Sequence, residues 1–308
     1  MRIIKQTDKI LSVSHSDADG LACQVVLGNI FKNIDYIIQP FVKIDNVLAT
    51  ADFSQYDHVF ITDIYPSVHQ IMNRSDKFIL IDHHDTALPL HDPKKMRFVD
   101  QSQCGAALVK KFVEAYFKIP LPHLDRFIYL INDYDLWLHK DPFSKDFNLL
   151  YDMYRGINKD MSAYRSRFMG GNVLLSDEEV DYIDGKHKEY TATYNGIEMI
   201  EFNHINGALV INVKSFVNEI CHDLMVNNGY KIVFLVNAGT GHTNVRHCAQ
   251  SLNIGELLTK LDLGGGHKFA AGMRKIEPAE LFTKKLLTLE KFLYMNFPEM
   301  RRVEEPKS

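Results

Sequence analysis

Residues 10–20 read ILSVSHSDADG, and this stretch decides the fold class. Its first half, residues 10–14, has the length of a buried strand, and Ile10, Leu11 and Val13 in it are apolar. Its second half alternates potential metal ligands with small residues: His15, Asp17 and Asp19. An extended backbone points alternate side chains to one side, and Gly20 then allows a tight turn into a helix, expected over Leu21–Lys32. The stretch therefore predicts an α/β fold with a site beyond the carboxyl end of its first strand.

Two later strand-like runs end in the same kind of residue. They are Val59–Thr62, followed by Asp63, and Phe78–Ile81, followed by Asp82, His83 and His84. A single Asp after a strand is usually a turn or cap residue, but here three strands repeat the pattern. So many carboxylates at one sheet edge would repel one another without bound cations. A mixed oxygen and imidazole set suits Mn²⁺, and its size favours two ions that share a carboxylate.

A further acidic segment, NDYDLW at 132–137, lies in a helical pattern over Leu124–Leu138. Asp133 and Asp135 cannot share one helical face, so we expect one of them to face the metal site. Periodicity alone does not choose between them. Trp137 and Tyr134 could stack on nucleobases, although core packing is the commoner role of a tryptophan.

The chain is long enough for two domains, since 308 residues is about twice a typical domain of about 150. The expected division is a catalytic domain over 1–176, a charged linker helix over 177–195 and a smaller α/β domain over 196–308. The linker follows a loop-like stretch at 164–176. Further helices are predicted over Ala106–Phe117, capped by Ser102, and over Val217–Val226 and Ile254–Leu261. Strands are predicted over Ala208–Val213 and Lys231–Val236, and a strand or turn is predicted near Thr243–Cys248.

A glycine run stands out in the second half, with Gly264, Gly265 and Gly266 followed by His267 and then KFAAG. Exposed amides at such a run, followed by a helix start, would form an anion-binding concavity. His267 and Arg246 could add donors toward a phosphate. The run is not a P-loop, no GxGxxG follows the first strand, and no GxSxG motif is present, so those nucleotide-binding and serine hydrolase classes are excluded.

Charge and cysteine content indicate which class of ligand and which cellular compartment to expect. Lys and Arg number 35 against 39 Asp and Glu, a net charge of −4, which disfavours long duplex nucleic acid as a ligand. The four cysteines, Cys23, Cys104, Cys221 and Cys248, form no CxxC pair and are expected to be buried free thiols. The apolar runs are too short to span a membrane, so we expect a cytoplasmic protein.

Together, these motifs resemble those of the DHH/DHHA1 phosphoesterase superfamily over nearly the whole chain. The matching residues are His15-x-Asp17-x-Asp19-Gly20, Asp63, the Asp82-His83-His84 triplet, Asp133, Arg246 and the Gly264–Gly272 run. The resemblance implies a DHH lobe that binds two Mn²⁺ ions, a DHHA1 lobe that holds substrate, and an active site between them.

Roles for individual residues follow from this resemblance. One ion would be held by His15, Asp17 and Asp63. The other would be held by Asp19, Asp63, His83 and Asp133, with Asp63 shared. Asp82 would orient the histidines, and His84 would contact the scissile phosphate. Substrate would be bound by Arg246, Gly264, Gly265, Gly266 and His267.

The resemblance also limits the range of substrates to be expected. The segment around Asp133 is most similar to the nanoRNase B-like oligoribonuclease branch, which implies hydrolysis of short RNA oligonucleotides to mononucleotides by water that two metal ions activate. A phosphodiesterase of cyclic or linear dinucleotides and a 3′,5′-bisphosphonucleotide phosphatase remain alternatives. A non-catalytic nucleotide-binding module is a third, from another class. The sequence does not decide whether the chain forms a homodimer.

Overall fold

The computed structural model describes residues 3–213, 215–237, 240–266, 268–276 and 279–302. The chain divides into two compact units, Met1–Gly185 and Lys186–Ser308. This division falls within the helix Asp177–Asn195, the stretch predicted to link two domains. His267 lies outside the described residues, so its expected role stays a prediction.

The first unit is an α/β domain built on a parallel five-stranded sheet with the order β2-β1-β3-β4-β5. Its strands are β1 (Ile10–His15), β2 (Ile34–Gln39), β3 (His58–Thr62), β4 (Phe78–Asp82) and β5 (Arg97–Val99). Its helices are α1 (Ala18–Gly28), α2 (Phe41–Thr50), α3 (Gly105–Phe117), α4 (Asp125–Asp135), α5 (Phe143–Ile157) and α6 (Ser162–Phe168), and α7 (Asp177–Asn195) follows. The predicted fold class, a parallel α/β sheet followed by a second α/β domain, is confirmed.

Apolar side chains cover both faces of this sheet. One cluster packs α1, α3 and α4 on the sheet around Phe31, Phe60 and Phe127. The other packs α2 on the opposite face through Ile44 and Leu48. Burial on both faces explains why β3 and β4 are mostly apolar. The polar residues at their ends are therefore the exception that marks the carboxyl edge.

Helix α1 begins at Ala18, earlier than expected, because the Asp17 carboxylate caps it by accepting a hydrogen bond from the Gly20 amide at 2.9 Å. A Cβ atom at Gly20 would lie 2.2 Å from the His15 carbonyl oxygen. The turn between β1 and α1 thus requires glycine. It holds the His15–Asp19 segment tightly against the strand end.

Three local predictions were wrong in detail. Residues 164–176 are not all loop, since α6 buries Tyr164 and Phe168 against the core. Helix α3 begins at Gly105 and its cap position is Cys104, not Ser102. Cys248 is exposed, whereas the other three cysteines are buried as predicted. Within the described residues, no helix has both the length and the apolar character needed to span a membrane.

The second unit contains a six-stranded mixed sheet with the order β10-β11-β9-β8-β7-β6. Its strands are β6 (Glu198–Glu201), β7 (Gly207–Val213), β8 (Ile232–Asn237), β9 (Thr243–His247), β10 (Gly264–Gly266) and β11 (Ala270–Met273), and its helices are α8 (Val217–Asn227), α9 (Ile254–Lys260) and α10 (Ala279–Asn296). Strands β7 and β8 pair in parallel, and every other neighbouring pair is antiparallel.

The glycine run is strand β10 and does not begin a helix, which corrects the sequence-based expectation. Gly264 pairs with Met273 and Gly266 with Ala271 in an antiparallel ladder. A Cβ atom at Gly264 would lie 1.9 Å from the Gly272 carbonyl oxygen. The glycine at this position is therefore explained by the close approach of two backbones.

Candidate metal centre

The carboxyl ends of β1, β3 and β4 bring the predicted acids and histidines together. Because the three strands are parallel neighbours, His15, Asp63 and Asp82 follow or end them at the same sheet edge. Three groups of side chains there offer ligand atoms within 4.8 Å of one another: Asp63 with Asp82, His83 and His84; His15 with Asp17 and Asp63; and Asp19 with His83 and Asp135. We call these eight residues the acid–histidine cluster.

His83 and Asp63 lie at the centre of the cluster. The His83 Nε2 atom is 3.2 Å from Asp63 Oδ1, 3.6 Å from Asp135 Oδ2 and 3.9 Å from Asp19 Oδ2. On the other side, His15 Nδ1 is 2.5 Å from Asp17 Oδ2 and 3.9 Å from Asp63 Oδ2. Asp63 thus faces both His15 and His83, the position that a shared ligand requires.

The backbone at Asp63 is held in an uncommon conformation. Its φ of 57° lies in the left-handed region, which non-glycine residues seldom adopt. Such strain persists only where the surrounding structure fixes it, and it concentrates at functional sites. A Cβ atom at Gly105 would lie 2.7 Å from the Asp63 Cβ, so the first turn of α3 packs directly against this residue.

Asp19 is fixed by the start of α3. Its Oδ2 accepts a hydrogen bond from the Gly105 amide at 2.6 Å, and its Oδ1 accepts one from the Ala106 amide at 2.9 Å. A helix N-terminus stabilises a carboxylate through its unpaired amides and its dipole. Sequence reasoning missed this support, because the two partners are 86 and 87 residues away in the chain.

Asp82 positions the two histidines that follow it. Its Oδ1 accepts hydrogen bonds from the backbone amide of His83 at 2.7 Å and from Nδ1 of His84 at 2.7 Å. Asp82 is fully buried, so these contacts are shielded from water. Because Nδ1 is bound to Asp82, Nε2 is the ring nitrogen of His84 that can contact a ligand.

The pKa values show how the cluster behaves without a cation. Burial raises the pKa of the Asp63 carboxyl well above its usual range, and the charges of Asp19 and Asp17 raise it further. Burial and the same two charges also raise the pKa of Asp135 strongly. Burial lowers the pKa of His83, which favours the neutral imidazole that binds metals. For His84, burial lowers the pKa, but the hydrogen bond and charge of Asp82 outweigh this effect and raise it.

The donor set fits divalent cations. Oδ2 atoms of Asp63, Asp82 and Asp135 are buried and accept no hydrogen bond from the described residues. Buried charges are normally paired or bound to metal, so three such oxygens in one cluster indicate missing positive charge. Carboxylates together with imidazoles are ligands for Mn²⁺ and related ions.

The structure places Asp135, and not Asp133, in this cluster, which corrects the expected position of the fourth motif. The Asp133 carboxylate accepts hydrogen bonds from the Lys140 amide, the Asp141 amide and the Ser144 hydroxyl at 2.9, 3.2 and 2.7 Å. These contacts use both of its oxygens to hold the chain that follows α4. Asp135, the last residue of α4, reaches His83 instead.

The predicted substrate-binding residues lie in the second unit. Arg246 belongs to β9, and its guanidinium donates hydrogen bonds to Asn218 Oδ1 at 2.6 Å and to its neighbour's carbonyl at 3.1 Å. Gly265 and Gly266 follow Gly264 in β10, and β11 lies between this strand and β9. Burial lowers the pKa of Arg246, which remains a cation near neutral pH. Among the described residues, Arg246 and the glycine run therefore share one sheet.

Comparison with known proteins points to hydrolases of phosphoesters. No protein-family model matches the chain. It is 24% identical over 198 residues to a 3′,5′-cyclic-nucleotide phosphodiesterase of Helicobacter pylori, covering 56% of this chain and 54% of that protein. It is 23% identical over 297 residues to oligoribonuclease NrnB of Bacillus subtilis, covering 84% of this chain and 71% of NrnB. The match thus spans only about half the length of the first relative.

Solved structures share the fold. The pGpG-specific phosphodiesterase PggH from Vibrio cholerae aligns with a TM-score of 0.61 at 16% identity, over 92% of this chain and 99% of that one. RecJ in complex with Mn²⁺ from Thermus thermophilus aligns with a TM-score of 0.59 at 15% identity, over 96% of this chain and 53% of that one.

The parallel sheet followed by a mixed sheet is the fold that the chain shares with PggH and RecJ, and the acids and histidines at the carboxyl edge of the first sheet form the candidate metal centre. The chain is similar in sequence or in fold to these proteins, which are members of the DHH superfamily.

Proposed function

We propose that the protein is a divalent-cation-dependent phosphodiesterase that degrades short RNA oligonucleotides to mononucleotides. The observation that carries the proposal is the acid–histidine cluster, with three buried carboxylate oxygens that accept no hydrogen bond from the described residues. The similarity to oligoribonuclease NrnB supports this substrate, because it extends over 84% of the chain. A location in the cytoplasm and a lack of affinity for long duplexes stay predictions.

Two cations, most simply Mn²⁺, would fit the cluster. We assign His15, Asp17 and Asp63 to one ion and Asp19, Asp63 and His83 to the other, with Asp135 in the place first expected for Asp133. Bound cations would supply an activated water and charge stabilisation for the phosphoryl oxygens. Asp63 lies between the two groups, so its substitution should disturb both.

The residues of the chain itself supply positioning and proton transfer. Asp82 holds His84 by its Nδ1 atom, which fixes the ring and raises its pKa. His84 Nε2 can then carry the proton that the leaving oxygen requires. The amides at the start of α3 hold Asp19 in place, so the ligand set is rigid before substrate binds. We further propose that Arg246 and the backbone of Gly264–Gly266 bind a phosphate or base of the substrate.

A dinucleotide phosphodiesterase is the second candidate. It is favoured by PggH, a pGpG-specific phosphodiesterase that shares the fold, whereas the Helicobacter pylori relative is a 3′,5′-cyclic-nucleotide phosphodiesterase that covers less of the chain than NrnB does. Both candidate activities use the same cluster. Their substrates differ only in the length of the nucleotide chain and in whether that chain is closed into a ring. Substrate panels therefore separate them, whereas metal-site variants do not.

The test is a direct comparison of substrates. Purified protein with Mn²⁺ is incubated with labelled ribonucleotides of two to five residues, cyclic dinucleotides and 3′,5′-bisphosphonucleotides, and Asp63→Asn serves as the inactive control. We expect mononucleotides from the short RNA and no turnover by the variant. Turnover of cyclic dinucleotides or bisphosphonucleotides alone would refute the oligoribonuclease assignment, and no turnover of any substrate would favour a non-catalytic binding module.

A further inference from the structure

Three aromatic rings lead outward from the acid–histidine cluster. The ring centroid of His84 lies 5.9 Å from that of Tyr65, and the Tyr65 centroid lies 4.9 Å from that of Phe41. The planes of these pairs are tilted by 47° and 57°. Such separations and tilts are typical of favourable aromatic contacts. We call Phe41, Tyr65 and His84 the aromatic row.

The outer ring of the row is exposed, whereas the middle one is not. Tyr65 is 7% exposed, and its hydroxyl is hydrogen-bonded to Thr86 Oγ1. Phe41 is 40% exposed, although Ile44 and Leu48 on the same helix are fully buried and already anchor α2. Because hydrophobic stabilisation is roughly proportional to the apolar area buried, a phenylalanine exposed to this extent gives up part of the stability that burial of the whole ring would give. Its place beside the cluster therefore suggests a role in binding.

Phe41 stands at the same sheet edge as the cluster. Strand β2 pairs with β1 so that Gln39 lies beside His15, and the chain enters α2 directly afterwards. The loop after β3 is tied to α2, because Asp45 accepts hydrogen bonds from the Ser67 hydroxyl and the Val68 amide. Phe41 and Tyr65 are therefore held by two connected elements, which makes the row a fixed surface.

We propose that Phe41, backed by Tyr65, is the platform on which a nucleobase next to the scissile phosphate stacks. Unpaired bases are bound by stacking on aromatic side chains, and this mode accepts every base because each has a π face. A phenylalanine ring offers no hydrogen-bond donor or acceptor, so the platform selects for the presence of a base and not for its identity. The inference rests on the proposed function and makes single-stranded nucleotide chains its substrate class.

The test compares normal and abasic substrates. A set of ribotrinucleotides is prepared in which one base at a time is removed, and KM and kcat are measured for the wild type and Phe41→Ala. In the wild type, the loss of one particular base should raise KM about 5- to 150-fold, the range that stacking of one base gives. Phe41→Ala should raise KM for the intact trinucleotide by a similar factor and leave kcat nearly unchanged. For the trinucleotide lacking that base, the two proteins should have equal KM values.

A binding measurement provides a second readout. The fluorescence of 2-aminopurine at that position should be quenched by the wild type and by Phe41→Trp but much less by Phe41→Ala. Val42→Ala is the matched control, since Val42 is 85% exposed on the same helix and carries no ring. An equal effect of Phe41→Ala on intact and abasic substrates would overturn the platform while leaving the proposed function intact. Absence of turnover of every oligonucleotide by the wild type would instead overturn the proposed function.

Discussion

Asp133 and Asp135 offer a matched pair of substitutions on helix α4, because the two carboxylates lie in different surroundings. Asp135→Asn removes a charge from the acid–histidine cluster, where its Oδ2 atom lies 3.6 Å from His83 Nε2. Asp133→Asn changes a carboxylate that accepts three hydrogen bonds from the segment after the helix. We predict that the first substitution weakens Mn²⁺ binding and that the second lowers the stability of the fold.

The contacts of the two carboxylates determine how large the loss of Mn²⁺ affinity and the loss of stability should be. Loss of an outer partner of a metal ligand costs about 10- to 100-fold in affinity, so loss of the Asp135 charge should cost at least this much. Without metal, Asp135→Asn should leave the free energy of unfolding unchanged or raise it, because burial and neighbouring charges disfavour the carboxylate there. Asp133→Asn keeps one acceptor oxygen and loses at least one hydrogen bond to a charged group, which predicts a loss of about 1.5–3 kcal/mol in the free energy of unfolding.

Calorimetric titration with Mn²⁺ and urea unfolding in the presence of a chelator measure the two quantities separately. The expected outcome is that Asp133→Asn binds Mn²⁺ as the wild type does at temperatures where it is folded. If Asp133→Asn lost Mn²⁺ affinity at unchanged stability while Asp135→Asn kept it, the placement of Asp135 in the metal centre would be refuted.

Two further predictions concern the surroundings of the cluster, and a third concerns Glu179 in helix α7. Asp82→Asn should lower kcat about 10- to 100-fold because His84 loses its charged partner; an unchanged kcat in steady-state assays would contradict this. Gly105→Ala should weaken Mn²⁺ binding in calorimetric titrations, because the new Cβ would lie 2.7 Å from the Asp63 Cβ and 3.0 Å from Asp19 Oδ2. The control Gly156→Ala, with no atom within 4 Å of the new Cβ, should leave Mn²⁺ binding unchanged and raise stability by about 0.5–1 kcal/mol. Glu179→Gln should remove an acid-sensitive part of the stability. Burial raises the pKa of Glu179, but its bonds to Arg167, Tyr154 and the Ser176 amide outweigh this and lower it. The wild-type advantage in urea unfolding should therefore be complete above about pH 4.3, the ordinary pKa of a glutamate, and disappear as the pH falls through the lowered value. A difference that stays constant down to pH 3 would contradict the assigned shift.

The clustering of acids and histidines at one sheet edge is visible in the sequence because its signals are local. Strands β1, β3 and β4 are short, mostly apolar runs, and each ends in or is followed at once by the acids and histidines that meet in the structure. Parallel neighbours must place such residues at one edge, so the clustering follows from the pattern alone.

The choice between Asp133 and Asp135 depends on long-range structure. The chain turns at Trp137, whose φ is 56°, and returns so that Lys140, Asp141 and Ser144 surround Asp133. No helical periodicity contains this turn. The support of Asp19 by the start of α3 is equally invisible in the sequence.

The glycine run shows how one pattern can have two structural explanations. Consecutive glycines suit both an anion-binding helix start and a strand whose backbone is closely approached by another. Gly264 falls in the second class, because the carbonyl of Gly272 leaves no room for a side chain. Only the strand that pairs with it distinguishes the two, and in that strand Met273, nine residues away, is the partner of Gly264.

The central claim is that the sheet edge holds two divalent cations on shared ligands and that these make the protein a hydrolase of short RNA. Its most direct test is the number of Mn²⁺ ions bound per chain, measured by equilibrium dialysis together with trinucleotide turnover in the same samples. We predict two ions and turnover for the wild type, and fewer ions with no turnover for Asp63→Asn. Two bound ions and full turnover in Asp63→Asn, or turnover by wild-type protein with no ion bound, would contradict the account.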